Sequence, residues 1–136
     1  MSIITSRRHA DDNHDVVTVE GGGHAYRREP CPDCPWRLDA ETGAFPAEAF
    51  RFSANTAHDM STHRFGCHMS GTEKPATCAG FLLTGATHNL AVRLDQMKGR
   101  IDLDQVHSDA PLYASYREMA EANGVPADDP ALEKCR

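Results

Sequence analysis

Hydrophobic positions are sparse along this chain and recur mainly at helical spacing. Phe50, Ala54 and Ala57 fall on one face of a helix expected over about 46–58, and Pro46 suits its first turn, where a missing N–H costs nothing. Leu90, Leu94 and Met97 form the stripe of a second helix, about 88–98, with Thr87 as N-cap and Gly99 as its stop. Leu112, Tyr116 and Met119 line a third, about 110–122, closed by Asn123-Gly124. The β-prone run Val16-Val17-Thr18-Val19 precedes Gly21-Gly22-Gly23 and His24-Ala25-Tyr26-Arg27, which predicts a hairpin leading into Cys31. Residues 1–14 are polar, of mixed charge, and include His9 and His14; they read as a flexible arm. Residues 126–136, with Pro126 and Pro130, read as a tail that leaves Cys135 mobile. The expected organisation is therefore an arm (1–14), one domain (15–125) and a tail (126–136).

Composition changes this picture in one respect. A chain of 136 residues makes one compact domain, but only 40% of these residues are hydrophobic and nine are aromatic. Such a core is thin and would gain from a staple. The formal charge of −6 argues against non-specific binding to nucleic acid, which requires phosphate neutralisation. The longest apolar run, Ala79–Ala86, is far short of the ~18 residues of a membrane span. Met1–Asp12 carries no apolar export leader, so the expected setting is the cytoplasm, where cysteines bind metals or do chemistry more often than they form disulfides.

The cysteines are the informative chemistry. Cys31-Pro32-Asp33-Cys34 is a knuckle whose spacing lets two thiolates grip one ion from a tight turn, and its prolines restrict the turn before an ion arrives. Cys67 and Cys78 form a second pair, bordered by Gly66 and by Ala79-Gly80. Four thiolates from two segments can complete a tetrahedral shell around Zn²⁺ or hold an iron–sulfur cluster. His68, directly after Cys67, reads as a donor to a sulfur or carbonyl rather than a ligand, and His58 and His63 read as surface residues. Trp36 with Arg37 could cover the site through a cation–π contact, or Trp36 could be an ordinary core residue.

Three segments, Cys-Pro-Asp-Cys-Pro-Trp-Arg (31–37), Phe-Gly-Cys-His (65–68) and Cys-Ala-Gly-Phe (78–81), resemble the pattern of an uncharacterised bacterial and phage family of unknown function. The resemblance spans about residues 29–97. It implies a four-cysteine site and no particular activity, and leaves a phage or mobile-element origin open.

The expected fold is thus α+β and mainly α: a small single domain with a short N-terminal hairpin and about three helices around a Cys₄ centre. Cys31, Cys34, Cys67 and Cys78 are the expected metal ligands, with Trp36 and His68 beside the cofactor. Zn²⁺ is the favoured occupant and a [4Fe–4S] cluster the alternative. Using all four sulfurs leaves no open catalytic position. The expected function is accordingly a zinc-stapled, non-enzymatic interaction or regulatory module whose acidic face meets a protein partner with a basic surface. A cluster-based redox protein or sensor is the alternative. Enzymatic motifs are weak: no H-E-x-x-H occurs, and Pro30-Cys31-Pro32-Asp33-Cys34 lacks the upstream H-x-E of zinc deaminases.

Overall fold

A computed structural model describes residues 3–11, 14–20, 25–70 and 75–135. Its sheet has the order β1 (Ile3–Asp11), β2 (His14–Glu20), β3 (His63–Arg64), antiparallel throughout. Three helices accompany it: α1 (Ala47–Ser53), α2 (Leu90–Met97) and α3 (Tyr116–Ala122). Short 3₁₀ and π-helical turns fill the connections, including Ala54–Ala57 and Phe81–Gly85. The expected α+β domain with an N-terminal hairpin and three helices is what the chain forms.

The hairpin nevertheless lies earlier than its pattern suggested. Residues 1–14 read as an arm, yet Ile3–Asp11 pairs with β2, Ile4 facing Val19 and Arg8 facing Val16. The polarity that suggested an arm is that of an edge strand exposed to water. Arg8 stays at the surface with its guanidinium 5.4 Å from the Phe52 ring centre on α1. The glycine turn and His24 lie outside the described residues. Tyr26, expected in the second strand of that hairpin, instead makes a bridge to Thr77.

The helices keep their positions but change their bounds and, in one case, their phase. Phe50, Ala54 and Ala57 are buried as their spacing predicts, although the chain tightens to 3₁₀ geometry after Ser53. In α3, Tyr116 and Met119 point inward as expected. The helix starts late because Ser115 caps it, accepting from the Glu118 N–H while Glu118 Oε2 accepts from Ala114 N–H at 3.2 Å. Its end is the expected one, with Gly124 at φ +102°.

Helix α2 is rotated relative to its apolar stripe. Asn89, not Thr87, caps it by accepting from Val92 N–H, and the buried face carries Ala91, Val92 and Asp95. Leu94 and Met97 are 41% and 82% exposed. The cause is a buried ion pair: Arg64 on β3 reaches Asp95 at 3.5 Å and bonds Thr77, and Arg100 adds a second contact to Asp95 at 3.7 Å. Asn89 is buried too, donating to the carbonyl of His63 at 2.6 Å. Turning Leu94 and Met97 inward would strip these groups of their partners, a larger penalty than the exposure of two apolar side chains.

The segment expected as a tail over 126–136 is anchored in the core at two points. Leu132 is fully buried, and Cys135, expected to be mobile, is buried as well, its thiol 3.3 Å from the Ala54 carbonyl. A backbone bridge joins Cys135 to His58.

Candidate metal centre

Three stretches of extended backbone assemble the second cysteine pair. Cys67 N–H donates to the Ala76 carbonyl at 2.7 Å, and Cys78 N–H donates to the Phe65 carbonyl at 2.9 Å. Thr77, between those partners, bonds on its other side to the 25–27 stretch, with Thr77 N–H to Ala25 O and Arg27 N–H to Thr77 O, both 2.9 Å. Register therefore places Cys67 near Cys78 and delivers the chain from Arg27 toward Cys31. The knuckle itself is two successive turns, Cys34 N–H to Cys31 O and Arg37 N–H to Cys34 O, each 3.1 Å.

All four cysteines are buried free thiols, and they approach one another. Cys34 Sγ lies 3.6 Å from Cys78 Sγ. Cys31 contacts the sulfurs of both Cys34 and Cys67. The sulfurs thus form a chain, Cys67–Cys31–Cys34–Cys78, across the two segments. A separation of 3.6 Å is well beyond a disulfide bond. It is near the ~3.8 Å edge of a tetrahedron whose zinc–sulfur bonds are ~2.3 Å. Among the described residues, no three His, Cys, Asp or Glu side chains are grouped so that they could hold a metal ion; the thiols meet as neighbouring pairs.

Three of the sulfurs also receive a backbone amide from two residues further on: Asp33 to Cys31, Trp36 to Cys34 and Met69 to Cys67. Each such N–H favours negative charge on the sulfur. In the knuckle the intervening residue is Pro32 or Pro35, whose fixed φ helps turn the next amide back. A proline two residues after either cysteine would have removed the donor.

Without a cation these amides do not suffice to ionise the group. The Cys31 thiol is pushed up chiefly by its contact with Cys34, against an opposing effect from Cys67, and by burial. Cys34 is lowered by its contact with Cys31, but Cys78 and burial outweigh that and push it up to about 12. Contact with Cys31, then burial, raises Cys67 strongly. Crowded thiols of this kind are poor nucleophiles, since attack requires the thiolate.

His68 sits against the centre, its two ring nitrogens 3.7 and 3.9 Å from Cys31 Sγ and its ring edge-on to Phe45, centroids 4.9 Å apart. That is the place of a donor to sulfur. His63 lines the same cavity, whereas His58 is occupied with the C-terminal segment. Trp36 is a core residue. It is buried among Phe65, Tyr116 and Phe81 at centroid distances of 5.8, 6.0 and 6.4 Å, and its indole N–H finds no acceptor among the described residues. Arg37 forms a bidentate pair with Asp39 at 2.7 and 2.8 Å and donates to the Cys31 carbonyl at 3.5 Å.

Two contributors escaped the sequence reading. The amide donors at Asp33, Trp36 and Met69 could have been found from the cysteine–proline order of the knuckle. The buried Arg64–Asp95 pair, which sets the strand before Cys67, leaves no trace in local spacing.

Fold and thiols together define a small α+β domain with a buried four-cysteine cluster. The chain belongs to a family of unknown function, DUF6283, whose sequence pattern matches residues 26–136. That match extends beyond the 29–97 span of the motif resemblance and takes in the C-terminal segment that packs into the core. No curated protein and no solved structure matches the chain. No helix among the described residues is long and apolar enough to cross a membrane.

Proposed function

We infer that the chain is a metal-stapled interaction module in which Cys31, Cys34, Cys67 and Cys78 hold one zinc ion. The observation that carries this reading is the convergence of four buried thiols from two segments, three of them met by backbone amides, with a closest sulfur pair at 3.6 Å. One shared ion suits that spacing. A [4Fe–4S] cluster gives each thiolate its own iron and spreads the sulfurs wider. Zinc would displace the thiol protons and link the knuckle to the Cys67–Cys78 pair, adding folding energy where the apolar core is thin. With all four positions filled by sulfur, the ion serves as a staple and has no open site for a substrate.

Metal analysis and a visible spectrum of protein purified anaerobically without added metal test the reading. About one zinc per chain and no colour is the expected result. A brown protein with several irons and sulfides per chain would replace the staple with redox or sensing chemistry. Five free thiols and no metal would overturn both. Serine at any one of the four cysteines should lower the bound zinc, whereas Cys135→Ser should leave it unchanged.

A further inference from the structure

A cleft of about 670 Å³ opens beside the thiols. The knuckle, the Cys67 segment, α1 and β2 all contribute to its lining. Phe45, Phe50, Phe52 and Phe65 are among the lining residues. Among the described residues its lining carries three carboxylates, Asp33, Asp39 and Glu41, and no lysine, with His63 and His68 beside them. Asp39 is neutralised by Arg37, while Asp33 and Glu41 are exposed and make no ion pair with a described residue. Arg64 is the only arginine in the lining among the described residues, and it is 2% exposed and paired with Asp95.

The chain itself shows which group suits these walls. Phe52, part of the lining, already carries the guanidinium of Arg8 over its ring. Aromatic faces attract such cations, Arg more often than Lys, and unpaired carboxylates at an exposed rim steer them in.

We propose that this cleft is the partner-binding site, and that it receives an arginine side chain flanked by apolar residues from a partner polypeptide. Apolar lining residues such as Phe45 take the apolar flank, the Phe52 face staying with Arg8, and Asp33 and Glu41 supply the charge that meets the guanidinium. The proposal rests on the interaction-module reading and not on the identity of the metal. A four-thiolate zinc centre, with two net negative charges, would strengthen the same field.

The test uses the full chain as purified and two peptides, acetyl-Leu-Arg-Phe-Arg-Leu-amide and its counterpart with glutamate at both arginine positions, titrated by calorimetry and by amide chemical shifts. The arginine peptide should bind and shift amides of the knuckle and α1, and the glutamate peptide should not. Asp33→Asn combined with Glu41→Gln should weaken binding ~5- to 10-fold, as expected for two rim charges. Equal binding of the two peptides, shifts confined to other surfaces, or an affinity unchanged in the double variant would each overturn the proposal. Metal content, read on the same samples, separates failure of the cleft from failure of the staple. A protein that keeps its zinc and ignores the arginine peptide refutes the cleft alone.

Discussion

Trp36 crosses Gly80 so closely that a methyl group on Gly80 would lie 2.5 Å from Trp36 Cβ. A methyl on Gly85 would lie 2.5 Å from the far end of the same indole, at Cη2. Gly80 precedes the turn Phe81–Gly85 and Gly85 ends it, so the Trp of the first motif and the Gly of the third are one packing unit. Replacing either glycine by alanine forces the indole or the backbone to move, because a Cβ essentially never approaches that closely. Gly80→Ala and Gly85→Ala should each cost about 1–3 kcal/mol in urea unfolding. Trp36→Ala should cost about 3–5 kcal/mol. Variants that unfold at the wild-type midpoint would show that the contact is not as close as described.

The pair Arg64–Asp95 governs the rotation of α2. Asp95→Asn leaves a buried guanidinium without its counter-charge and should destabilise by about 3–5 kcal/mol. The double variant Arg64→Met, Asp95→Leu removes both charges and should be markedly more stable than the sum of the single changes implies. A double-mutant cycle on thermal unfolding checks this, and simple additivity would mean that the two groups do not interact.

The exposed and buried faces of α2 should respond in opposite ways. Met97→Lys should change stability by no more than about 0.5 kcal/mol, since 82% of that residue is exposed. Val92→Ala, on the buried face, should cost about 2 kcal/mol. The reverse ranking would restore the stripe that hydrophobic spacing alone suggests.

Burial pushes the Cys135 thiol up to about 11, with Arg117 opposing. A thiol that ionises at ~8.5 in the unfolded chain then favours folding fully below that pH, and the advantage is lost as pH rises toward the folded value. The stability gap between wild type and Cys135→Ala should therefore narrow between pH ~8.5 and about 11. Denaturation midpoints across that range measure it; a constant gap would place the thiol in water, and a gap that widened would mean that the fold favours the thiolate.

Much of this architecture is legible from spacing, and the exceptions share a cause. Phe50, Ala54, Ala57, Tyr116 and Met119 are buried as their periodicity implies, because apolar packing alone decides their orientation. Leu94 and Met97 fail the same test because the buried partners of α2 are polar, and polar pairing across 31 residues (from Arg64 to Asp95) has no local signature. The edge strand β1 reads as an arm for a related reason, since its pairing with β2 leaves much of its polar surface in water. At the centre, the knuckle announces itself, and Cys67 and Cys78 follow from their count and flanking residues. Trp36 reads as lid or core from its position alone, and in the fold it is fully buried against two glycines.

The C-terminal segment sets an order of events. Leu132 and Cys135 close the core against Ala54 and His58, yet a chain synthesised from its N-terminus exposes all four clustered sulfurs before Leu132 has been made. For that interval the knuckle and the Cys67–Cys78 pair can meet, or capture an ion, while the space around Tyr116 is still open on the side that the last residues will seal. The C-terminal segment is therefore a late plug. If the four sulfurs take up the proposed ion in that window, its absence would leave nascent chains with exposed thiols and an uncovered aromatic core, a form suited to chaperones and proteases.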